Sequence, residues 1–260
     1  MAENTVTLTF ADGVARVTLS RPEVRNAFNA GVIAELHQAF TRIAAADDVR
    51  AVVVAGEGKV FCGGADINWM RESLDLSFEA NAIDAERMSD MFRAIDACPR
   101  PVIGRIQGAA LGGGAGLAAV CDIVVAADDA IFGFTEVKLG IVPAVISPFV
   151  LAKIGASHAR ALFLTGERFD ADHAARIGLV HDVVAADRLD AGVDRAIAEI
   201  RSAGPYAVSA AKLLVRRVLD ATYEESRAIT TRAIANQRIS PEGQEGLRAF
   251  LERRKPSFHE

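Results

Sequence analysis

The feature that most constrains the fold is the wholly apolar run AVVVA at residues 51–55. A strand without a polar face must be buried on both sides, as in a parallel sheet covered by helices. Residues 101–106 and 122–127 predict two more strands of this kind, and glycines or other small residues follow each run. Small residues let the backbone approach a ligand closely, so the ends of these strands are candidate binding positions.

The remaining segments complete a mixed α/β pattern. Alternating apolar and polar residues flank an Asp-Gly turn signal at residues 12–13, which predicts a β-hairpin over residues 6–19. Apolar residues at helical spacing predict a helix over residues 30–46. The chain therefore begins as an α/β protein.

From about residue 186 the pattern changes to amphipathic helices, predicted over residues 188–202, 206–219 and 229–239. Ser240 and Pro241 suit the first positions of a last helix, because serine caps helices and proline fits their first turn. We therefore expect a core over residues 1–195 that carries the functional site, and a helical region over residues 196–260.

Composition limits the classes of partner. The 260 residues carry a net charge of −5, which argues against nonspecific binding of nucleic acid. No apolar run reaches the roughly 18 residues of a membrane span, and the N-terminal residues lack the basic and hydrophobic parts of a secretion signal. We expect a cytoplasmic protein without a membrane or nucleic-acid partner.

Cysteines and histidines indicate no metal centre. The three cysteines form no CxxC pair, and the histidines show no ligand spacing; they are Cys62, Cys98, Cys121, His37, His158, His173, His181 and His259. A nucleophilic Cys62 is disfavoured, because no histidine stands at a recognisable partner position and cysteine commonly packs in the core. Reduced, packed thiols are the prediction.

Two glycine-rich segments each follow a predicted buried strand and precede a predicted helix: FCGGADI at residues 61–67 and QGAALGGGAGL at residues 107–117. Helix N-termini offer unpaired N–H donors, so both segments could stabilise an oxyanion. Each segment alone fits tight helix–strand packing equally well. Neither matches a P-loop or a dinucleotide-binding fingerprint.

Taken together, these segments resemble the enoyl-CoA hydratase/isomerase (crotonase) superfamily. The matching motifs cover nearly the whole chain in the family's order: SRP with NA, FCGGADI, IQGAALGGGAGL, CD, FGFTEVKLG and EGLRAFLERRK. The resemblance implies an α/β crotonase (ClpP/crotonase-like) spiral of ββα repeats. It also implies that the C-terminal helices mediate assembly into a homotrimer or a dimer of trimers.

The resemblance also implies the catalytic residues. The backbone N–H groups of Ala65 and Gly113 would form an oxyanion hole for the thioester carbonyl, and Glu136 would be the acid/base group. Two preorganised amides aimed at an enolate oxygen act mainly in the transition state, where loss of one donor typically costs about 3 kcal/mol. Local sequence alone fits a solvated loop glutamate at position 136 as well.

A coenzyme A site follows from the same resemblance. Coenzyme A would be bound as part of the acyl thioester substrate, with no tightly bound cofactor and no metal. The basic C-terminal tail is expected to reach a phosphate of this group, often across a subunit boundary. The expected contacts are Val24, Arg25, Ala27, Ala65, Asp66, Ile67, Asn68 and Lys255.

The chain departs from the family pattern at Gly116, where typical hydratases carry a second glutamate. Single-glutamate members include isomerases that move a double bond from carbon 3 to carbon 2. Residues 136–148 and 240–246, however, resemble bacterial methylglutaconyl-CoA or carboxygeranoyl-CoA hydratases of leucine and acyclic-terpene breakdown, which also carry a glycine there. This places hydratase before isomerase, and a second carboxylate could come from the substrate, Asp66 or Glu86. A noncatalytic CoA- or RNA-binding homologue is a third alternative.

Overall fold

The computed structural model describes residues 5–219 and 221–258. His259 lies outside the described residues. Within them, nine strands, β1 to β9, span Val6–Ala11, Val14–Leu19, Ala51–Gly56, Val102–Ile106, Ala109–Leu111, Ile123–Ala127, Ile131–Gly133, Arg168–Asp170 and Asp182–Val184. Ten α-helices, α1 to α10, span Ala30–Ala44, Ile67–Ser73, Phe78–Asp96, Gly113–Val120, Ser147–Thr165, Ala171–Arg176, Leu189–Arg201, Pro205–Leu219, Tyr223–Ile239 and Pro241–Leu251. Three short 3-10 helices cover Pro22–Val24, Glu136–Leu139 and Ala186–Arg188.

The predicted hairpin is confirmed. β1 and β2 pair in antiparallel fashion from Val6 opposite Leu19 to Ala11 opposite Val14. Both turn residues, Asp12 and Gly13, have positive φ angles, of 48° and 71°. This is the backbone of a two-residue turn whose twist matches that of the strands.

The main sheet has the strand order β1-β2-β3-β4-β6-β9. Every pairing after the hairpin is parallel. All six residues of β3 are buried, and β4 and β6 correspond to the other two predicted apolar strands. The prediction of a parallel sheet is therefore confirmed, with boundaries that differ by one residue.

Helices cover both faces of this sheet. α1 begins after Asn29, whose side chain accepts a hydrogen bond from the Val32 N–H (2.9 Å), and it buries the predicted apolar face. On the opposite face, Leu189 and Val193 of α7 pack with Val53 and Ile103 in a second core cluster. Covering both faces explains why these strands read as continuous apolar runs.

A smaller sheet, β5-β7-β8, carries the segments that lead into the site. β5 runs parallel to β7, and β7 is antiparallel to β8. Each of the three strands has only three residues. Strands this short are difficult to recognise by alternation, and the prediction had placed β5 within a continuous glycine-rich loop.

The C-terminal helices match the predicted region, with one correction. The helix predicted from residue 229 begins at Tyr223, because Thr222 and Glu225 form a reciprocal capping box. The predicted cap of the last helix is confirmed: Ser240 Oγ accepts a hydrogen bond from the Gly243 N–H at 3.0 Å. The division at residues 195 and 196 falls inside α7 and stays a prediction.

None of the described helices has both the length and the apolar character needed to cross a bilayer.

Candidate active site

The two glycine-rich segments meet at one end of the parallel sheet. The Cys62 N–H donates to the Ala109 carbonyl (3.1 Å), and the Leu111 N–H donates to the Cys62 carbonyl (3.0 Å). A Cβ atom on Gly114 would lie 2.8 Å from Cys62 Cβ and closer still to the Cys62 carbonyl oxygen. The segments are therefore in such close contact that only glycine fits at position 114.

Each segment presents a backbone N–H that donates to no turn or loop acceptor within the described residues. These are the N–H groups of Ala65 and Gly113. Both residues line a cavity of about 420 Å³. Gly113 opens α4, so its amide lies at the positive end of a helix dipole. The structure therefore brings together the two amides that the sequence predicted as partners.

The Gly113 amide is held by packing. All eight residues of α4 are buried. Gly112, which precedes the helix, has φ 51° and ψ −121°, and its N–H donates to the Gly133 carbonyl at 2.8 Å. The start of α4 is thus fixed between β7 and the first glycine-rich segment.

The Ala65 amide is held by polar contacts. The Asp66 carboxylate accepts hydrogen bonds from the Asn68 N–H (2.8 Å) and from Arg21 Nη2 (2.9 Å). Arg21 also donates to the Ala27 carbonyl (2.8 Å). Burial would raise the pKa of Asp66, but these hydrogen bonds outweigh it, so the pKa lies below its ordinary value. Asp66 is therefore an ionised cap for α2.

Glu136 lies in the 3-10 helix Glu136–Leu139, not in the loop that the sequence suggested. A Cβ atom on Gly112 would be 3.4 Å from Glu136 Oε1, so the carboxyl adjoins the start of α4. Its Oε2 atom is buried without a hydrogen-bond partner in the described part of the chain. Burial raises the pKa of Glu136, opposed in part by a hydrogen bond from its own backbone N–H. A solvated surface glutamate does not fit these observations.

The rest of the cavity is mainly apolar, and part of it comes from a helix that the sequence analysis did not predict. Trp69, Met88, Val142 and Ile146 contribute to its wall. Met88 belongs to α3, which was not predicted. The spacing of Met88, Met91, Phe92 and Ile95 would have indicated this helix.

The predicted coenzyme A contacts before α1 and at the start of α2 belong to segments that are neighbours in space. The Gly63 N–H donates to the Arg25 carbonyl (2.8 Å), and the Phe28 N–H donates to the Gly64 carbonyl (2.7 Å). Val24, Arg25, Ala65, Ile67 and Asn68 are exposed, whereas Ala27 and Asp66 are buried. Of the exposed residues, Ala65 also lines the cavity.

Lys255 is exposed in the segment after α10. Within the described residues no hydrogen bond or ion pair joins its ammonium group to the segments that contain Arg25 or Ala65. Its neighbour Arg254 is bound to Glu245 (2.7 Å) and Glu252 (2.7 Å). No hydrogen bond or ion pair of the described chain therefore joins Lys255 to the other predicted contacts.

The position of Gly116 offers no carboxylate, and the two substitutes named from sequence differ in their surroundings. Asp66 is engaged by Arg21 and by the cap of α2. Glu86 is exposed on α3 and is not among the described residues of the cavity wall. Asp84 lies two residues before Glu86 on α3, and its carboxylate lines the same cavity as Glu136.

Cys62 has the character of a packed thiol. Its side chain is fully buried, and burial raises its pKa to about 12. Across residues 5–219 and 221–258, no three His, Cys, Asp or Glu side chains form a group that could hold a metal ion.

Comparisons with known proteins agree on one family. The enoyl-CoA hydratase/isomerase family model matches residues 9–260. A probable enoyl-CoA hydratase of Mycobacterium bovis is 36% identical over 94% of this chain and 94% of its own length. The crystal structure of an enoyl-CoA hydratase of Mycobacterium smegmatis superposes with a TM-score of 0.94 at 34% identity, covering 99% of this chain and 100% of that one. Pseudomonas aeruginosa AtuE gives a TM-score of 0.95 at 36% identity, covering 98% and 100%.

These matches extend over nearly the full length of both proteins in each pair, so they apply to the core and to the C-terminal helices alike. The family acts on coenzyme A thioesters. The chain therefore belongs to the enoyl-CoA hydratase/isomerase family and is an enzyme with the crotonase fold.

Proposed function

We propose that this enzyme is a hydratase that adds water across the 2,3 double bond of a 2-enoyl-CoA thioester. The observation that carries the proposal is the meeting of three groups at one cavity: the free N–H groups of Ala65 and Gly113, and the buried carboxyl of Glu136. Two amides beside one buried carboxyl suit a reaction that passes through an enolate.

In the proposed reaction the ionised Glu136 accepts a proton from water. The water oxygen bonds to carbon 3, and the π electrons of the double bond move towards the thioester oxygen. The Ala65 and Gly113 amides stabilise the resulting enolate oxygen. Glu136 then returns its proton to carbon 2, which yields a 3-hydroxyacyl-CoA. One carboxylate suffices, because the proton removed from water ends on carbon 2.

The raised pKa of Glu136 supports this role. A carboxyl that exchanges protons in both directions works best when its pKa lies near the working pH. Oε2 of Glu136 has no hydrogen-bond partner among the described residues, so no protein hydrogen bond has to break for this atom to accept a proton. Val24, Arg25 and Ala27, with residues 65–68, would hold the coenzyme A part, and Lys255 would reach it from another subunit.

We further propose a branched substrate of the 3-methylglutaconyl-CoA type. The support is the resemblance of residues 136–148 and 240–246 to hydratases of such substrates.

A second candidate is a single-glutamate isomerase, favoured by the lack of a side chain at Gly116. In that reaction Glu136 would remove a proton from carbon 2 of a 3-enoyl-CoA and return it to carbon 4. The same oxyanion hole would serve both reactions, so the substrate decides between them.

A homotrimer or a dimer of trimers completes the proposal. α8 and α9 contain no buried residue, and Tyr206, Leu213, Val215 and Tyr223 expose 52–82% of their surface. Helices with this much exposed apolar surface favour self-association. Light scattering on the purified protein would give the number of subunits.

The test follows the absorbance of the conjugated thioester with crotonyl-CoA and, separately, 3-methylglutaconyl-CoA. Loss of absorbance with either substrate is expected for a hydratase, and the ratio of rates gives the acyl preference. No loss there, with a gain of absorbance from a 3-enoyl-CoA, would replace hydratase by isomerase. No turnover of any of the three would contradict both.

Glu136→Gln tests the acid/base group. We expect a fall in kcat of about 10²- to 10⁴-fold, because the amide cannot accept the proton. Glu86→Gln is the matched control, since Glu86 is exposed and lies outside the described cavity wall. Full activity of Glu136→Gln would remove Glu136 from the mechanism.

A further inference from the structure

Gly116 does more than omit a carboxylate. It lies in α4, one turn after Gly113, and it is buried. A Cβ atom at this position would come within 2.8 Å of Ile146 Cβ and still closer to Ile146 Cγ2. The next nearest atom, Phe92 Cζ, would be 3.4 Å away. The space in which a side chain at position 116 would begin is therefore already filled.

Ile146 is firmly held in this position. It is 2% exposed and immediately precedes α5. Phe92 contacts Phe149 (ring centroids 5.6 Å apart) and Phe28 (6.3 Å), so aromatic rings support the adjoining wall. Ile146 also lines the cavity that contains Glu136 and the two free amides.

We propose that Ile146 is the residue that keeps a second carboxylate at position 116 out of the site of this enzyme. Its side chain fills the volume beside Gly116, excludes any larger residue there, and gives the cavity an apolar wall on that side. The absence of a side chain at Gly116 thus matches the space that Ile146 fills. Glu136 then supplies the carboxylate beside the oxyanion amides. The catalytic part of this inference rests on the proposed function, whereas the packing part does not.

The packing part is tested by a double-mutant cycle on thermal stability. Gly116→Ala is expected to lower Tm by roughly 4 °C or more, because the new methyl overlaps Ile146. Ile146→Gly removes the overlapping atoms and is compatible with the start of α5, where glycine is a better N-cap than isoleucine. In the Ile146→Gly background, Gly116→Ala should cost less than half as much.

Val145→Gly is the matched control for the cycle. Val145 also lines the cavity, but its atoms are not among the three nearest to a Cβ at position 116. Gly116→Ala should cost as much with Val145→Gly as in the wild-type chain. An equal cost in all three backgrounds would overturn the pairing, whether or not the enzyme hydrates any substrate.

The catalytic part is tested by adding a carboxylate. Gly116→Glu alone is expected to lower Tm and abolish turnover, whereas the Gly116→Glu, Ile146→Gly double variant should regain turnover of crotonyl-CoA. A carboxylate close to Glu136 disfavours ionisation of the pair, so the acidic limb of the pH profile of kcat/KM should move to higher pH than in Ile146→Gly.

Three results separate the two parts. Turnover by Gly116→Glu alone at the level of the double variant would show that Ile146 excludes nothing. A pH profile of the double variant identical to that of Ile146→Gly would show that the added carboxylate does not face the site. Absence of turnover in the wild-type enzyme would contradict the proposed function, and the stability cycle would still decide the packing.

Discussion

The two segments that supply the amides of the proposed oxyanion hole are fixed by different means. The segment with Ala65 is held by ionic and polar contacts, in which Asp66 binds Arg21 and caps α2. The segment with Gly113 is held by burial of all of α4 and by the Gly114–Cys62 contact. The first should therefore respond to charge and pH, and the second to side-chain volume.

The largest effect is expected for Gly114→Ala. The added methyl would overlap Cys62 Cβ and the Cys62 carbonyl, which joins the two segments. We expect destabilisation of about 1–3 kcal/mol from overpacking. We also expect a loss of about 100-fold in kcat/KM, because a displacement of about 1 Å near reacting groups can cost that much. Calorimetry and the thioester absorbance assay measure the two effects.

Gly246→Ala is the control. A Cβ at position 246, inside α10, would meet Phe258 at 3.4 Å, an ordinary packing distance. Alanine replaces glycine in helix interiors with a gain of up to about 1 kcal/mol. If Gly114→Ala were as stable and active as Gly246→Ala, close packing would not be what fixes the second segment.

The packed part of the fold was also the more predictable part. The apolar run of β3 predicts a strand that is buried on both faces. The spacing of Ile33, Leu36, Phe40 and Ile43 places these residues on one face of a helix. β5 and β8 of the smaller sheet were missed because a strand of three residues carries no measurable period. α3 was missed because much of its surface is polar and exposed.

The candidate site was predictable in its motifs but not in its supports. The segments with Ala65 and Gly113, and Glu136, could be named from the resemblance of their motifs to the family. The Arg21–Asp66 pair joins residues 45 positions apart, and Ile146 reaches Gly116 across 30 positions. Contacts at such separations depend on the folded backbone, so no local pattern in a single sequence indicates them.

Asp66→Asn should have an intermediate effect, confined to the polar segment. The side chains of Asp66 and Arg21 are 6% and 17% exposed. Loss of one partner of a fully buried pair costs about 3–5 kcal/mol, and partial exposure of Arg21 reduces this to about 1–3 kcal/mol. Denaturant unfolding at neutral pH measures the difference.

The pH dependence of unfolding shows whether the charge of Asp66 is the cause of this stability difference. Because the pKa of Asp66 is lowered in the fold, its contribution is present above the unfolded pKa of about 3.9 and is lost as pH falls through the folded value. The gap between wild type and Asp66→Asn should therefore close in acid. Asp90→Asn, which breaks an exposed pair with Arg93, should change stability by about 0.5 kcal/mol or less.

The smallest effect on stability is expected at Glu136, which adjoins the packed segment yet carries an ionisable group. Burial raises the pKa of Glu136, so the folded protein binds this proton more tightly than the unfolded chain does. Above both pKa values the wild-type enzyme is destabilised by the buried charge, and Glu136→Gln should be more stable there.

That gain should shrink as pH falls through the folded pKa and vanish below the unfolded value of about 4.3, where both side chains are neutral. Unfolding of the two proteins between pH 4 and pH 8 measures the trend, and Glu86→Gln should show a constant difference from wild type. A constant gain for Glu136→Gln would mean that shape, rather than charge, separates the two side chains. A gain that grows with pH would instead show that the ionised carboxylate of Glu136 destabilises the fold. Glu136 is also the group proposed to move the proton.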